Sequence, residues 1–120
     1  WRKQTLKEEL NLRTLPREKA FYFFTSIGNY TGQSAASLKE FMEKIGEVNI
    51  KSLEFHLYRG DFKKWTAEVL QDEELAKDLG RLQETNMSGD ALRNQLHATV
   101  LKRYKELTGQ FISLKKNPSI

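Results

Sequence analysis

The hydrophobic positions of this chain follow two spacings: a dense aromatic run near the N-terminus and a helical period over most of the rest. Residues 19–26, KAFYFFTS, form a short run rich in the aromatic side chains that favour β-structure, so they predict a strand. Gly28-Asn29 is a turn signal, and Tyr30-Thr31 can begin a returning strand. We therefore expect a small β-hairpin near the N-terminus.

Five amphipathic segments follow, and each begins with a polar side chain that can accept a hydrogen bond from the first turn of a helix. The expected N-caps are Ser37, Asn49, Asp61, Asp72 and Ser88. Glu40 lies three residues after the first of them, in the arrangement of a capping box. Gly60 and Gly109 are placed where glycine commonly ends a helix. The last helix is then the longest, over about residues 88–109, and residues 111–114 predict a short strand or a packed tail.

Residues 2–12 also favour a helix, which ends before Pro16 because proline disfavours the helical conformation of the residue preceding it. The chain of 120 residues is of the size of one domain, so we expect a single domain over residues 1–120. The predicted fold is mostly α (α+β), a bundle of five or six helices with a short N-terminal β-hairpin. Its expected core consists of Phe21, Phe23, Leu38, Phe41, Ile45, Leu53, Leu57, Phe62, Trp65, Val69, Leu75, Leu79, Leu92, Leu96 and Val100.

Composition excludes several classes of function. The chain has no cysteine, which excludes disulfides, a thiolate nucleophile and cysteine-ligated metal centres, and favours a reducing, cytoplasmic location. No apolar run approaches the roughly 20 residues of a membrane-spanning helix, so we expect no membrane partner. The net charge of +4 is uneven, since both ends of the chain are basic and the middle is acidic. If the ends meet in space, they form a positive patch that attracts anions.

His56 and Asp61 are the strongest candidates for catalysis, because an imidazole near a carboxylate can transfer protons. No motif marks a nucleophile beside them, so the favoured interpretation is structural: His56 packs beside Leu53, and Asp61 caps the next helix. The other histidine, His97, shares no metal-binding spacing with His56, and the acidic residues lack the pattern of a calcium loop. We therefore expect no metal and no cofactor.

A nucleic-acid interface is a second possibility. The candidate phosphate contacts are the basic residues of the C-terminal quarter, Arg93, Lys102, Arg103, Lys105, Lys115 and Lys116. Tyr22 and Phe24 would share one face of the first strand, and Phe21 and Phe23 would share the other. One pair could stack on bases if it is exposed. The favoured alternative places these aromatic side chains in the core and the lysines on a solvated helix surface, because the net charge is modest and no recognition motif occurs.

The centre of the chain carries a distinctive series of residues: Phe55-His56, Asp61-Phe62, Trp65 and Asp72-Glu73-Glu74-Leu75-Ala76. In this series the chain resembles an uncharacterised prokaryotic domain family that is frequent in archaea. The resemblance covers about residues 16–82. It implies a small, mostly helical domain with an accessory or binding role, sometimes as part of a larger chain, and it implies no catalytic residue.

Three functions follow, in order of preference. The first is a non-enzymatic interaction or accessory module of the cytoplasm, whose partner is another protein or a second copy of the chain. The second is a nucleic-acid-binding protein that uses its basic N- and C-terminal segments. The third is a hydrolase that uses His56 and Asp61.

Overall fold

The computed structural model describes the backbone of residues 11–116 and the side chains of residues 11–109. A short 3-10 helix, Arg17–Lys19, precedes an antiparallel hairpin of β1 (Phe21–Ser26) and β2 (Asn29–Ala35). The helices that follow are α1 (Leu38–Ile45), α2 (Ile50–Arg59), α3 (Asp61–Glu68), α4 (Glu73–Gln83) and α5 (Gly89–Lys116). The predicted α+β fold, an N-terminal hairpin with five helices, is thus confirmed.

The predicted helix over residues 2–12 lies outside the described residues except for Asn11 and Leu12, which are helical. Within residues 11–116, no helix combines the length and apolar character needed to cross a bilayer.

Most of the predicted helix boundaries are confirmed because capping is a local interaction. The Ser37 hydroxyl accepts a hydrogen bond from the N–H of Glu40 at 3.1 Å. Asn49 and Asp72 cap α2 and α4 in the same way. Gly60 ends α2 with a φ of 83°, in the left-handed region that glycine adopts without the clash of a Cβ atom.

Two of the predicted boundaries are wrong. Asp61 does not cap α3, because Gly60 occupies the N-cap position and Asp61 is the first residue of the helix, without a capping hydrogen bond. Gly109 does not end α5, which continues to Lys116, so residues 111–114 are helical rather than a strand. A glycine inside a helix costs about 1 kcal/mol but does not stop it unless the chain turns there.

The core lies between the hairpin and the helices. β1 packs against α2, β2 packs against α1, and α5 packs across α1, α2 and α4. Every predicted core side chain is buried except Val69, which is half-buried at the C-terminus of α3, while its neighbour Leu70 is buried. The two faces of β1 differ in burial. Phe21 and Phe23 are buried, whereas Tyr22 and Phe24 on the other face are half-buried.

Candidate functional site

A pocket of about 540 Å³ opens beside the hairpin turn, where β1 meets α2 and α3. Its apolar lining comes mainly from Phe21, Phe24, Ile27, Phe55, Trp65 and Val69. Its charged lining residues are Arg59, Asp61, Lys64 and Glu68, and His56 also contributes to its wall. We refer to this cavity as the hairpin pocket.

The sharp corner between α2 and α3 gives the pocket its polar side. Gly60 is both the last cap of α2 and the N-cap of α3, so the two helices meet with no intervening loop. Its left-handed φ is strained for residues with a side chain. The corner returns Asp61 to the side of His56, which lies in the last turn of α2.

Both nitrogens of His56 are engaged. Nε2 accepts a hydrogen bond from the backbone N–H of Phe24 at 2.8 Å, and Nδ1 lies 2.7 Å from Oδ2 of Asp61. Because Nε2 accepts a hydrogen bond from the backbone, the proton of the neutral ring lies on Nδ1, which donates a hydrogen bond to Asp61. The imidazole therefore joins β1 to α3.

The surroundings of His56 keep it neutral. Burial lowers the pKa of His56 below its ordinary value of 6.5, and the positive charge of Arg59 lowers it further. The hydrogen bond and the negative charge of Asp61 raise the pKa, but they do not outweigh burial. The aromatic rings that surround the imidazole, with centroids 4.8 to 6.3 Å away, are those of Phe21, Phe23, Phe24, Phe55 and Phe62.

The structure brings the two proposed catalytic residues together, and their hydrogen bond is part of the link between β1 and α3. His56 is buried, with 5% of its surface exposed, and the predicted capping role of Asp61 is wrong, because Asp61 binds the imidazole instead of capping α3. A general base needs a free lone pair, and that of Nε2 already accepts the Phe24 N–H. For His56 to take a proton from a substrate at Nε2, this bond would first have to break.

The proposed phosphate contacts do not form a uniform group. Arg103 is 11% exposed and donates to the carboxylates of Asp72 and Glu74 at 2.8 and 2.6 Å. Arg93 donates to the carbonyl of Ile45 at 2.9 Å. The other candidates are Lys102 and Lys105, which are exposed on α5, and Lys115 and Lys116, whose side chains lie outside the described residues.

Sequence reasoning missed the pocket itself. Ile27, which is not among the predicted site residues, is 86% exposed at the hairpin turn, and the nearby Tyr30 is 46% exposed. An isoleucine directly before a turn glycine was the available signal, because a large apolar side chain there has little core to enter. Among the described side chains, no three His, Asp or Glu residues are grouped closely enough to hold a metal ion.

Comparisons with known proteins address the family but not the activity. A family model described as a family of unknown function, DUF5752, matches residues 16–117. The matched region therefore extends past the residues of the sequence resemblance and includes α5. No curated protein and no solved structure matches the chain.

Proposed function

Because this chain belongs to the DUF5752 family, whose function is unknown, we propose its function from the hairpin pocket alone. The chain is a non-enzymatic interaction module of the cytoplasm. It binds a segment of another protein by accepting an apolar anchor side chain into the hairpin pocket. The observation that carries this proposal is an open apolar pocket whose imidazole has no free nitrogen.

The apolar surface around the pocket supports a protein partner. Phe24, Phe55 and Val69 line the cavity, and Ile27 extends the apolar surface outward at the hairpin turn, where it is 86% exposed. Exposed apolar groups next to a pocket are typical of interaction sites, in which a few buried anchors contribute most of the binding energy. Ile27 lines the pocket but is 86% exposed, so a partner that covers most of its side chain extends beyond the cavity, which favours a polypeptide segment over a small molecule.

The charges of the pocket favour a protein over a nucleic acid. Two cations, Arg59 and Lys64, line it together with two anions, Asp61 and Glu68, so a polyanion gains little net attraction. Arg59 is also partly engaged, since its Nε lies 3.5 Å from Oδ2 of Asp61 and its guanidinium lies 4.8 Å from the centroid of the Phe55 ring.

The edge of β2 does not favour strand addition as the mode of binding. Gly32 has a φ of 86°, and the register of the hairpin shifts on both sides of Phe24. The N–H of Gln33 donates to the Thr31 hydroxyl at 3.1 Å, and that hydroxyl donates to the Phe23 carbonyl at 2.8 Å. Irregular edges of this kind oppose pairing with an added strand, so the pocket is the better docking site.

Selection from a random peptide library displayed on phage tests the proposal. We expect the enriched peptides to share an aromatic or aliphatic anchor. Ile27→Glu should weaken their binding, measured by calorimetry, by about tenfold or more, which corresponds to about 1.4 kcal/mol. Ala91→Glu is the matched control, because Ala91 is an exposed apolar residue of α5 that does not line the pocket. It should leave the affinity unchanged.

Several outcomes would contradict the proposal. Equal binding by the Ile27→Glu variant and the parent would place the interaction elsewhere. Tight binding of oligonucleotides that falls steeply with salt, and that depends on Lys102 and Lys105, would favour the nucleic-acid function. Self-association that Ile27→Glu abolishes, in the absence of any peptide binding, would identify a second copy of the chain as the occupant.

A further inference from the structure

His56 joins the two walls of the hairpin pocket. On one side it accepts the backbone N–H of Phe24 in β1, and on the other it donates to Asp61 in α3. We propose that His56 is a proton-sensitive latch: the neutral imidazole holds β1 against α2 and α3, and protonation releases Phe24 and disrupts the wall of the hairpin pocket. The latch is a property of the free protein, and only its effect on partner binding rests on the function proposed above.

The chemistry of the ring dictates the direction of the switch. A neutral imidazole has one donor and one acceptor, which match the Asp61 carboxylate and the Phe24 N–H. A proton from solvent would occupy the lone pair of Nε2, the same lone pair that accepts the Phe24 N–H. The protonated ring has two N–H donors, so the backbone N–H of Phe24 would face another donor. The ring or the strand must then move, while the bond to Asp61 persists as an ion pair.

The groups that face His56 set the balance between its two forms. β1 contributes no charged side chain, since its contacts to the imidazole are the rings of Phe21, Phe23 and Phe24 and the N–H of Phe24. The charged groups that act on the imidazole are Asp61 of α3, which favours protonation, and Arg59 of α2, which disfavours it. No charged side chain described for α4 or α5 contacts the ring. Burial outweighs Asp61 and lowers the pKa of His56 below 6.5, so the latch is closed near pH 7.

The hairpin is irregular at this position. The register of β1 against β2 shifts between Tyr22 and Phe24 and again between Phe24 and Ser26. The regular ladder is therefore interrupted on both sides of Phe24, and the N–H of Phe24 donates to His56. Phe24 and His56 both line the hairpin pocket, so their separation changes the shape of the binding site.

NMR on the free protein tests the latch directly. His97→Gln provides the background, because the chain has two histidines and this change leaves His56 as the only one. We expect the ring to be in the Nδ1–H tautomer at neutral pH. As the pH falls, the Phe24 amide should shift with the same midpoint as the ring, below 6.5, and its exchange with solvent should accelerate by at least about tenfold. An Nε2–H tautomer, or a Phe24 amide that ignores the titration, would overturn the latch.

Two substitutions separate the latch from simple packing. His56→Gln removes the titrating group but retains a side-chain oxygen that can accept the Phe24 N–H, so the Phe24 amide should become independent of pH. Asp61→Asn removes the carboxylate that favours protonation, so the midpoint of His56 should fall further. Glu68→Gln is the matched control, because Glu68 lines the same pocket without contacting the ring, and it should move the midpoint much less. A rise of the midpoint in Asp61→Asn contradicts the proposed electrostatics.

The affinity of a selected peptide, measured across the same pH range, tests the regulatory step. The parent should lose affinity by about tenfold as His56 becomes protonated, whereas His56→Gln should keep its affinity. If the Phe24 amide responds to pH but the affinity does not, the latch stands and its control of binding is refuted. If no peptide binds, the function proposed above fails, and the NMR titration still decides the latch.

Discussion

Replacing Trp65 by alanine tests whether the wall of the hairpin pocket is also part of the core. Trp65 is 7% exposed, and its ring centroid lies 5.6 Å from that of Phe21 and 5.1 Å from that of Phe41. Its indole N–H donates to the carbonyl of Lys19 at 2.9 Å, which ties α3 to the segment before β1. The residue therefore connects parts of the chain that are 46 positions apart.

The expected cost follows from these contacts. Truncating a buried tryptophan to alanine costs about 3–5 kcal/mol in transfer and cavity energy. Part of the vacated space would join the open hairpin pocket instead of forming a closed cavity, which favours the lower half of that range. The lost hydrogen bond adds about 0.5–1.5 kcal/mol. We expect Trp65→Ala to lower the free energy of unfolding by about 4 kcal/mol.

Urea unfolding followed by circular dichroism measures this change, and it avoids the loss of the tryptophan fluorescence signal. Trp65→Phe is the control, because it retains an aromatic ring but loses the bond to Lys19, and it should cost about 1–2 kcal/mol. The dependence of stability on urea should stay the same in both variants. If Trp65→Ala unfolded at the same urea concentration as the parent, Trp65 would be a surface binding residue and the core assignment would be wrong.

Three further predictions concern the remaining polar and glycine positions. Arg103→Leu should cost about 3 kcal/mol in urea unfolding, because it leaves the buried carboxylate of Asp72 without its cation; an unchanged stability would free Arg103 for a role in phosphate binding. Gly60→Ala should cost about 1–2 kcal/mol at its left-handed φ, whereas the control Gly80→Ala, within α4, should be neutral or stabilising by up to about 1 kcal/mol; equal effects would contradict this account of the corner. Stability should fall as the pH drops below 6.5, because the lowered pKa of His56 makes the unfolded chain bind the proton first, and His56→Gln should lack that part of the loss; parallel pH profiles of the two proteins would contradict it.

The secondary structure could be predicted well because its signals are local. Ser37, Asn49 and Asp72 cap helices through contacts with residues two or three positions away, so their spacing in the sequence was sufficient. Asp61 had the same signal, but the left-handed turn at Gly60 placed it one position inside the helix and directed its carboxylate to His56. Gly109 also had a local signal, and the continuing helix overrode it.

The candidate site could not be predicted in the same way. Its residues come from β1, α2 and α3, and only the packing of the hairpin on the helices creates the cavity between them. The proximity of His56 and Asp61 could be predicted, because they are only five positions apart. The role of that pair could not be predicted from the sequence, because it depends on a hydrogen bond from the N–H of Phe24, which is distant along the chain.

By itself, the sequence determined an α+β fold with a hairpin and capped helices, and the composition that excludes cysteine chemistry. Only the tertiary structure decided that the pKa of the imidazole is lowered, that the neutral ring carries its proton on Nδ1 and that both nitrogens are bound. The reason is physical: a helix or turn is stabilised by neighbours along the chain, whereas the protonation state of His56 is set by burial and by a backbone donor 32 residues away.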